Sequence, residues 1–122
     1  MIKVGLVGYG TIGKRVADAI TAQKDMELVG ITGHSYDFKI EVAKIKGFRI
    51  FIIGDEEEFV KNGIKPEGDI NNLLEEADVI VDCTPKKVGR DNKEKYYLPK
   101  EIKAIFQGGE KPDVAEASFV AQ

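Results

Sequence analysis

Short apolar runs alternate with charged, partly apolar stretches from one end of this chain to the other. Residues 2–7 (Ile2-Lys3-Val4-Gly5-Leu6-Val7) form the first apolar run and predict a strand. Residues 14–23 predict a helix, and residues 26–32, with Val29 and Ile31, a second strand. Residues 37–46 place Phe38, Ile40, Val42 and Ile45 among charges; at that length a helix is expected, ended by Gly47. Residues 48–53 predict a short strand. Residues 55–62 open on Asp55-Glu56-Glu57-Glu58, which favours a helix N-terminus, and Gly63 stops that helix. Asp69 caps a short helix through Glu76, with Ile70, Leu73 and Leu74 on one face. Residues 77–83 read as a buried strand ending at Thr84-Pro85; a polar stretch containing a helix runs to Lys100, and residues 102–106 form one more strand. Strands alternating with helices call for a parallel sheet covered on both faces, and right-handed crossovers make it doubly wound, with strand 77–83 beside strand 2–7.

The turn between the first strand and the first helix carries the chemistry. Gly8, Gly10 and Gly13 in Val7-Gly8-Tyr9-Gly10-Thr11-Ile12-Gly13 supply G-x-G-x-x-G in the setting it requires, after a strand and into a helix. Gly8 permits the tight turn, Gly10 lets a pyrophosphate approach the backbone over Gly10, Thr11 and Ile12, and Gly13 lets the helix pack closely on the strand. The N–H groups and partial positive charge of the helix start suit that anion. The fold expected is therefore α/β, a Rossmann-type doubly wound, mainly parallel sheet, with a dinucleotide as its ligand.

Composition narrows the partners. The 122 residues allow one domain, 1–122, with a core of its own. A formal net charge of −3 gives no basic footprint, so nucleic acid is not an expected partner. No apolar run approaches the ~20 residues of a membrane span, and the opening strand does not resemble a signal peptide. The one cysteine, Cys83, cannot form an intrachain disulfide, which fits a cytoplasmic setting. Lying at the end of an apolar strand, Cys83 is read as a buried packing residue rather than a nucleophile. No catalytic residue and no metal site are expected in this chain.

Three segments carry a family resemblance. The run from Gly8 to Ile20 resembles the opening of the archaeal-type phosphorylating glyceraldehyde-3-phosphate dehydrogenases; Asp82-Cys83-Thr84-Pro85 with Val88-Gly89 resembles that family's strand-end loop; and Ala104-Ile105-Phe106-Gln107-Gly108-Gly109-Glu110-Lys111 is similar to a more specific segment of it. They occur in the family's order and spacing. The resemblance implies the NAD(P)-binding domain of an oxidoreductase of glycolysis or gluconeogenesis, in which a cysteine attacks the aldehyde, hydride passes to the nicotinamide, and phosphate displaces the acyl group from the thioester. It also implies that the catalytic domain lies beyond Gln122, that the parent is a homo-oligomer (a tetramer), and that this chain alone is inactive. The chain departs from the family at Val7, at Gly33-His34-Ser35-Tyr36 and at Lys86-Lys87.

The end of the second strand selects the cofactor. An acid about 20 residues after the glycine turn would hold a ribose 2′-OH and repel a 2′-phosphate. Counting on from Gly13 reaches Gly33, His34 and Ser35, with no acid before Asp37. Ser35 can donate to a phosphate, His34 is either an adenosine contact or a surface residue, and Lys14, Arg15 and Lys39 could add positive charge. NADP is expected, with NAD possible. Thr84 and Pro85 are expected on the nicotinamide side, and Gln107 and Gly108 near it by the family resemblance. Two alternatives stay open: a stand-alone nucleotide-binding or redox-sensing module, and the cofactor domain of another two-domain dehydrogenase, such as a dihydrodipicolinate reductase or homoserine dehydrogenase relative. Residues 107–111 are not a feature of those two.

Overall fold

The computed structural model describes residues 1–107. Six strands, β1 (Ile2–Val7), β2 (Met26–Gly33), β3 (Ile50–Ile52), β4 (Gly68–Asp69), β5 (Val79–Asp82) and β6 (Lys103–Phe106), form one sheet in the order β4-β3-β2-β1-β5-β6. Every pairing is parallel. The helices are α1 (Thr11–Thr21), α2 (Phe38–Ile45), α3 (Glu57–Lys61), α4 (Ile70–Glu76) and α5 (Lys86–Asn92), the last continued by a π-helical turn, Lys93–Tyr97. The doubly wound sheet expected from the alternation is present, with β5 beside β1.

The period of two along the strands builds the two faces. Leu6, Ile31, Ile50 and Ile52 join Ala17 of α1, Ile40 and Ala43 of α2, and Phe59 of α3 in one buried cluster. Val7 and Ile80 point the other way and meet Ile70, Leu74 and Tyr97 in a second, while Val29, Phe51 and Leu73 make a third. Helices α1 to α3 thus cover one face, and α4 with the π turn the other. Burial on both faces is why β2 and β5 read as near-continuous apolar runs.

Element ends differ from the sequence expectation for local reasons. Helix α1 begins at Thr11, three residues before the expected Lys14, because Gly10 serves as N-cap and its carbonyl accepts from Lys14 N–H at 2.9 Å. Strand β3 is Ile50–Ile52 rather than residues 48–53, since Phe48 N–H is taken by the Ala43 carbonyl at 3.1 Å in the close of α2. Helix α3 is shorter than residues 55–62: the Asp55 carboxylate accepts from Glu57 N–H at 2.9 Å, so Asp55 lies ahead of the helix. Asp69 does cap α4, in a reciprocal capping box with Asn72. Strand β5 is Val79–Asp82, leaving Cys83 one residue past its end. The edge strand β4, two residues long, has no apolar signal in the sequence.

Gly13 fixes how α1 meets the sheet. A Cβ there would stand 2.1 Å from the Gly8 carbonyl oxygen, and Gly8 itself has φ +91°, a conformation that favours glycine. Replacing Gly13 with alanine improves helix propensity by about 1 kcal/mol, but the obstacle is backbone and cannot swing aside. Gly13→Ala is expected to destabilise the fold by about 1–3 kcal/mol net, measured by denaturant unfolding; a midpoint equal to or above that of the unmodified chain would contradict this packing.

Candidate functional site

The chain reverses its winding direction at β1: β2 lies on one side of it and β5 on the other. Such a switch point leaves a crevice beyond the carboxyl ends of the strands. The structure has a cavity of about 300 Å³ there, whose wall includes Gly8, Gly10, His34, Ser35, Thr84 and Pro85. A larger cavity of about 590 Å³ lies against β6 and the π turn, lined by Tyr97, Leu98, Ile102 and Phe106. The smaller one is the candidate site, because it alone of the two adjoins the glycine turn.

The turn is held from three directions. Gly8 N–H donates to Thr32 Oγ1 at 3.2 Å, tying it to β2. Tyr9 is buried and packs edge-on against Phe48, ring centroids 6.1 Å apart, which pins the turn to the core beneath α1. Burial also pushes the Tyr9 phenol above its usual range. Cys83 N–H donates to the Val7 carbonyl at 2.7 Å, tying the turn's entry to the end of β5. Gly10 differs from its neighbours: a Cβ on it would meet nothing within 4 Å. The space above Gly10 is open, as an approaching pyrophosphate requires.

Of the residues singled out in the sequence, Gly8, Gly10, His34, Ser35, Thr84 and Pro85 meet in this crevice. Thr11, Ile12 and Gly13 form the first turn of α1 directly behind Gly10, with Gly13 buried against the turn. His34 and Ser35 are exposed at the end of β2, and Lys39 joins the same wall, whereas Lys14 and Arg15 are exposed on α1 and do not line it. Gln107 is exposed just past β6, and its N–H donates to the Asp82 carbonyl at 2.8 Å; it does not line the crevice. Gly108 and residues 109–111 lie outside the described residues. Cys83 corrects an expectation: it is half-buried rather than buried, packed against the Leu6 cluster and forming part of the crevice wall.

Five residues were missed from the sequence: Thr32, Asp37, Asp82, Asn92 and Tyr97. Thr32 is a polar residue within an apolar run, buried to hold Gly8. Asp82, fully buried at the end of β5, accepts from Thr84 N–H at 2.9 Å, from the Thr84 hydroxyl, from Asn92 Nδ2 at 3.2 Å and from Tyr97 hydroxyl at 2.5 Å. Burial, reinforced by the Asp82 charge and hydrogen bond, drives the Tyr97 phenol far above the ordinary tyrosine range. The signal for this cluster was an acid closing an apolar strand; its partners, ten and fifteen residues further on, had none. Asp37 caps α2 by accepting from Ile40 N–H at 3.0 Å, and it also lines the crevice.

An all-parallel sheet, a glycine turn and an open crevice at the switch point define a Rossmann-type dinucleotide-binding fold. The model for the family described as dihydrodipicolinate reductase, N-terminus, matches residues 2–106, and the chain belongs to that family. Among curated proteins it is 52% identical to a glyceraldehyde-3-phosphate dehydrogenase of Pyrobaculum neutrophilum over 122 residues, covering 99% of this chain and 36% of the relative. The enzymes of that name from Archaeoglobus fulgidus and Pyrococcus furiosus are each 52% identical too, and 36% of each is covered. The chain thus spans about a third of the length of these relatives. Among solved structures, the scyllo-inositol dehydrogenase of Lactobacillus casei superposes with a TM-score of 0.65 at 19% identity, over 94% of this chain and 29% of that one. Saccharopine dehydrogenase of Saccharomyces cerevisiae does so with 0.59 at 17%, over 93% and 23%. These last two bear on the fold alone. Among the described residues, no helix is long and apolar enough to cross a membrane.

The hold of Thr32 on the turn can be tested without ligand. Thr32→Val keeps the shape but leaves Gly8 N–H without its acceptor, which is expected to cost about 1–3 kcal/mol of stability. Thermal unfolding compared with an exposed control, Thr21→Val, measures it; equal losses in the two variants would contradict the assignment.

Proposed function

We propose that this chain is the NAD(P)-binding part of a phosphorylating glyceraldehyde-3-phosphate dehydrogenase, with NADP its preferred cofactor. The observation that carries the reading is the crevice itself: a glycine turn with open space at Gly10, facing a strand end without an acid at residues 33–35. The name of the enzyme rests on the curated relatives. The family model ends at residue 106, whereas identity of about half to the glyceraldehyde-3-phosphate dehydrogenases covers 99% of the chain, residues 107–111 included. That favours this enzyme over a dihydrodipicolinate reductase and over a stand-alone sensor module.

The bound dinucleotide would supply the hydride acceptor of the aldehyde oxidation. The chain's own residues have other tasks. The backbone at Gly10, Thr11 and Ile12 receives the pyrophosphate at the start of α1. Ser35 offers a hydroxyl, and Lys39 a charge, to a phosphate on the adenosine ribose, with His34 beside them. Thr84 and Pro85 form the opposite wall, on the nicotinamide side. The thiol, the general base and the substrate-phosphate cations of the reaction belong to the remaining two-thirds of such an enzyme, in this reading. Asp37 supports a second reading: a carboxylate on the adenosine wall favours a ribose with its 2′-OH free, hence NAD.

Two measurements test these assignments. In Gly10→Val the new side chain enters open space, so stability should fall only by the cost of a poorer N-cap, about 0.5–2 kcal/mol, and the chain stay folded, while calorimetric binding of NADP and NAD is lost. Retained affinity would move the pyrophosphate elsewhere. The unmodified chain should bind NADP more tightly than NAD, and Ser35→Asp should reverse that order by repelling the 2′-phosphate. A strong preference of the unmodified chain for NAD at moderate salt would install the Asp37 reading instead.

A further inference from the structure

The crevice has two walls, and they are built differently. The adenosine wall is the plain end of β2 followed by a capped helix. The other, residues 83–85, is a connection only three residues long between β5 and α5, and it stands on a buried polar cluster. Asp82 accepts four hydrogen bonds, two on each carboxyl oxygen, which is full use of a carboxylate's capacity. Oδ1 takes both donors of Thr84, its N–H and its hydroxyl. Oδ2 takes Asn92 from the end of α5 and Tyr97 from the π turn. Asp82, Thr84, Asn92 and Tyr97 are all buried, and among the described residues no ion pair is made to Asp82. Burying a carboxyl group costs free energy unless every acceptor site is used. A fold needing only a filled core would place an apolar side chain at this position.

The backbone of Asp82 serves the same connection. Its carbonyl accepts from Gln107 N–H, so β6 is tied in, and the next residue, Cys83, donates to Val7 at the mouth of the glycine turn. The Asp82 side chain thus ties the Thr84 wall to α5 and the π turn, and the backbone of Asp82 and Cys83 ties it to β6 and β1. A π-helical turn directly after an α-helix is unusual and recurs at functional sites. Here Tyr97, its last residue, delivers its hydroxyl to Asp82.

We propose that Asp82, with Asn92 and Tyr97 behind it, is a positioning device that holds Thr84 and Pro85 in place to receive the nicotinamide half of the dinucleotide. The inference rests on the dinucleotide reading of the crevice. It adds that the wall's geometry, and hence its affinity, is set in part by buried residues the cofactor does not touch. Positioning of this kind acts on one half of the ligand. The adenosine half meets Gly10, His34 and Ser35, none of which is bonded to the cluster.

Tyr97→Phe removes one donor and keeps the ring. Calorimetry with NADP and with 2′-phospho-ADP-ribose, which lacks the nicotinamide, reads the two halves separately. The expected result is NADP weakened about tenfold, the worth of roughly 1.4 kcal/mol, with the nicotinamide-free ligand unchanged within about twofold. Amide hydrogen exchange at Thr84, about tenfold faster in the variant, reports the same restraint without ligand. If both ligands weaken equally, or neither does while exchange is unaltered, the cluster is a core feature only and the proposal falls. If Tyr97→Phe does not fold, Asn92→Ser, which alters the longest of the four bonds, is measured in the same way and decides by the same split. If the unmodified chain binds neither ligand, the dinucleotide reading fails; the Thr84 exchange then decides alone whether the cluster restrains the connection.

Discussion

The contact between Gly13 and the Gly8 carbonyl governs the rest of the structure. With no side chain between them, α1 lies down on β1 immediately after the turn, and its first N–H groups face the carboxyl ends of the strands. A methyl group at that point would lift the helix away, and with it Ala17 and Ile20 from the core they fill. The close approach sets the start of α1 beside the crevice that the β2-β1-β5 order opens. Thr32 and Tyr9 hold the turn once it is made.

The fold was legible because each of its signals is local. Apolar runs of four to eight residues, glycines at helix ends and the acid at Asp69 can be read from a few neighbours each. The ends moved where a side chain or cap intervened. Asp55 turned back on its own backbone, and Phe48 N–H went to the close of α2. Strand β4 could not be read: two residues carry no period, and Gly68-Asp69 become a strand only because β3 lies beside them.

The site was half legible. The glycine turn and residues 34, 35, 84 and 85 are marked by spacing or by punctuation, and the structure brings them together. Residues 107 and 108 had no such mark beyond a family likeness, and Gln107 turned out to hold β6 to Asp82 by its backbone. The Asp82 cluster was invisible because its members, at positions 82, 92 and 97, share no helical or strand period; only folding makes them neighbours. Cys83 shows the opposite error. The end of an apolar run suggested full burial, but the strand stops one residue earlier and leaves Cys83 half-buried at the edge of a cleft.

The place of β1 in the sheet has a consequence for biosynthesis. Strand β1 is made before the other five strands yet lies inside the sheet, and the partner on its second edge is made about 75 residues later, as the pairing of Val4 with Val79 shows. At the usual pace of a ribosome that is a wait of roughly 4–15 s, during which an apolar strand has an open edge. Such edges pair readily with other chains. Lys3, the one charged residue in β1, sits near the strand's start and remains exposed in the finished fold, so it can keep the nascent edge hydrated without disturbing the core.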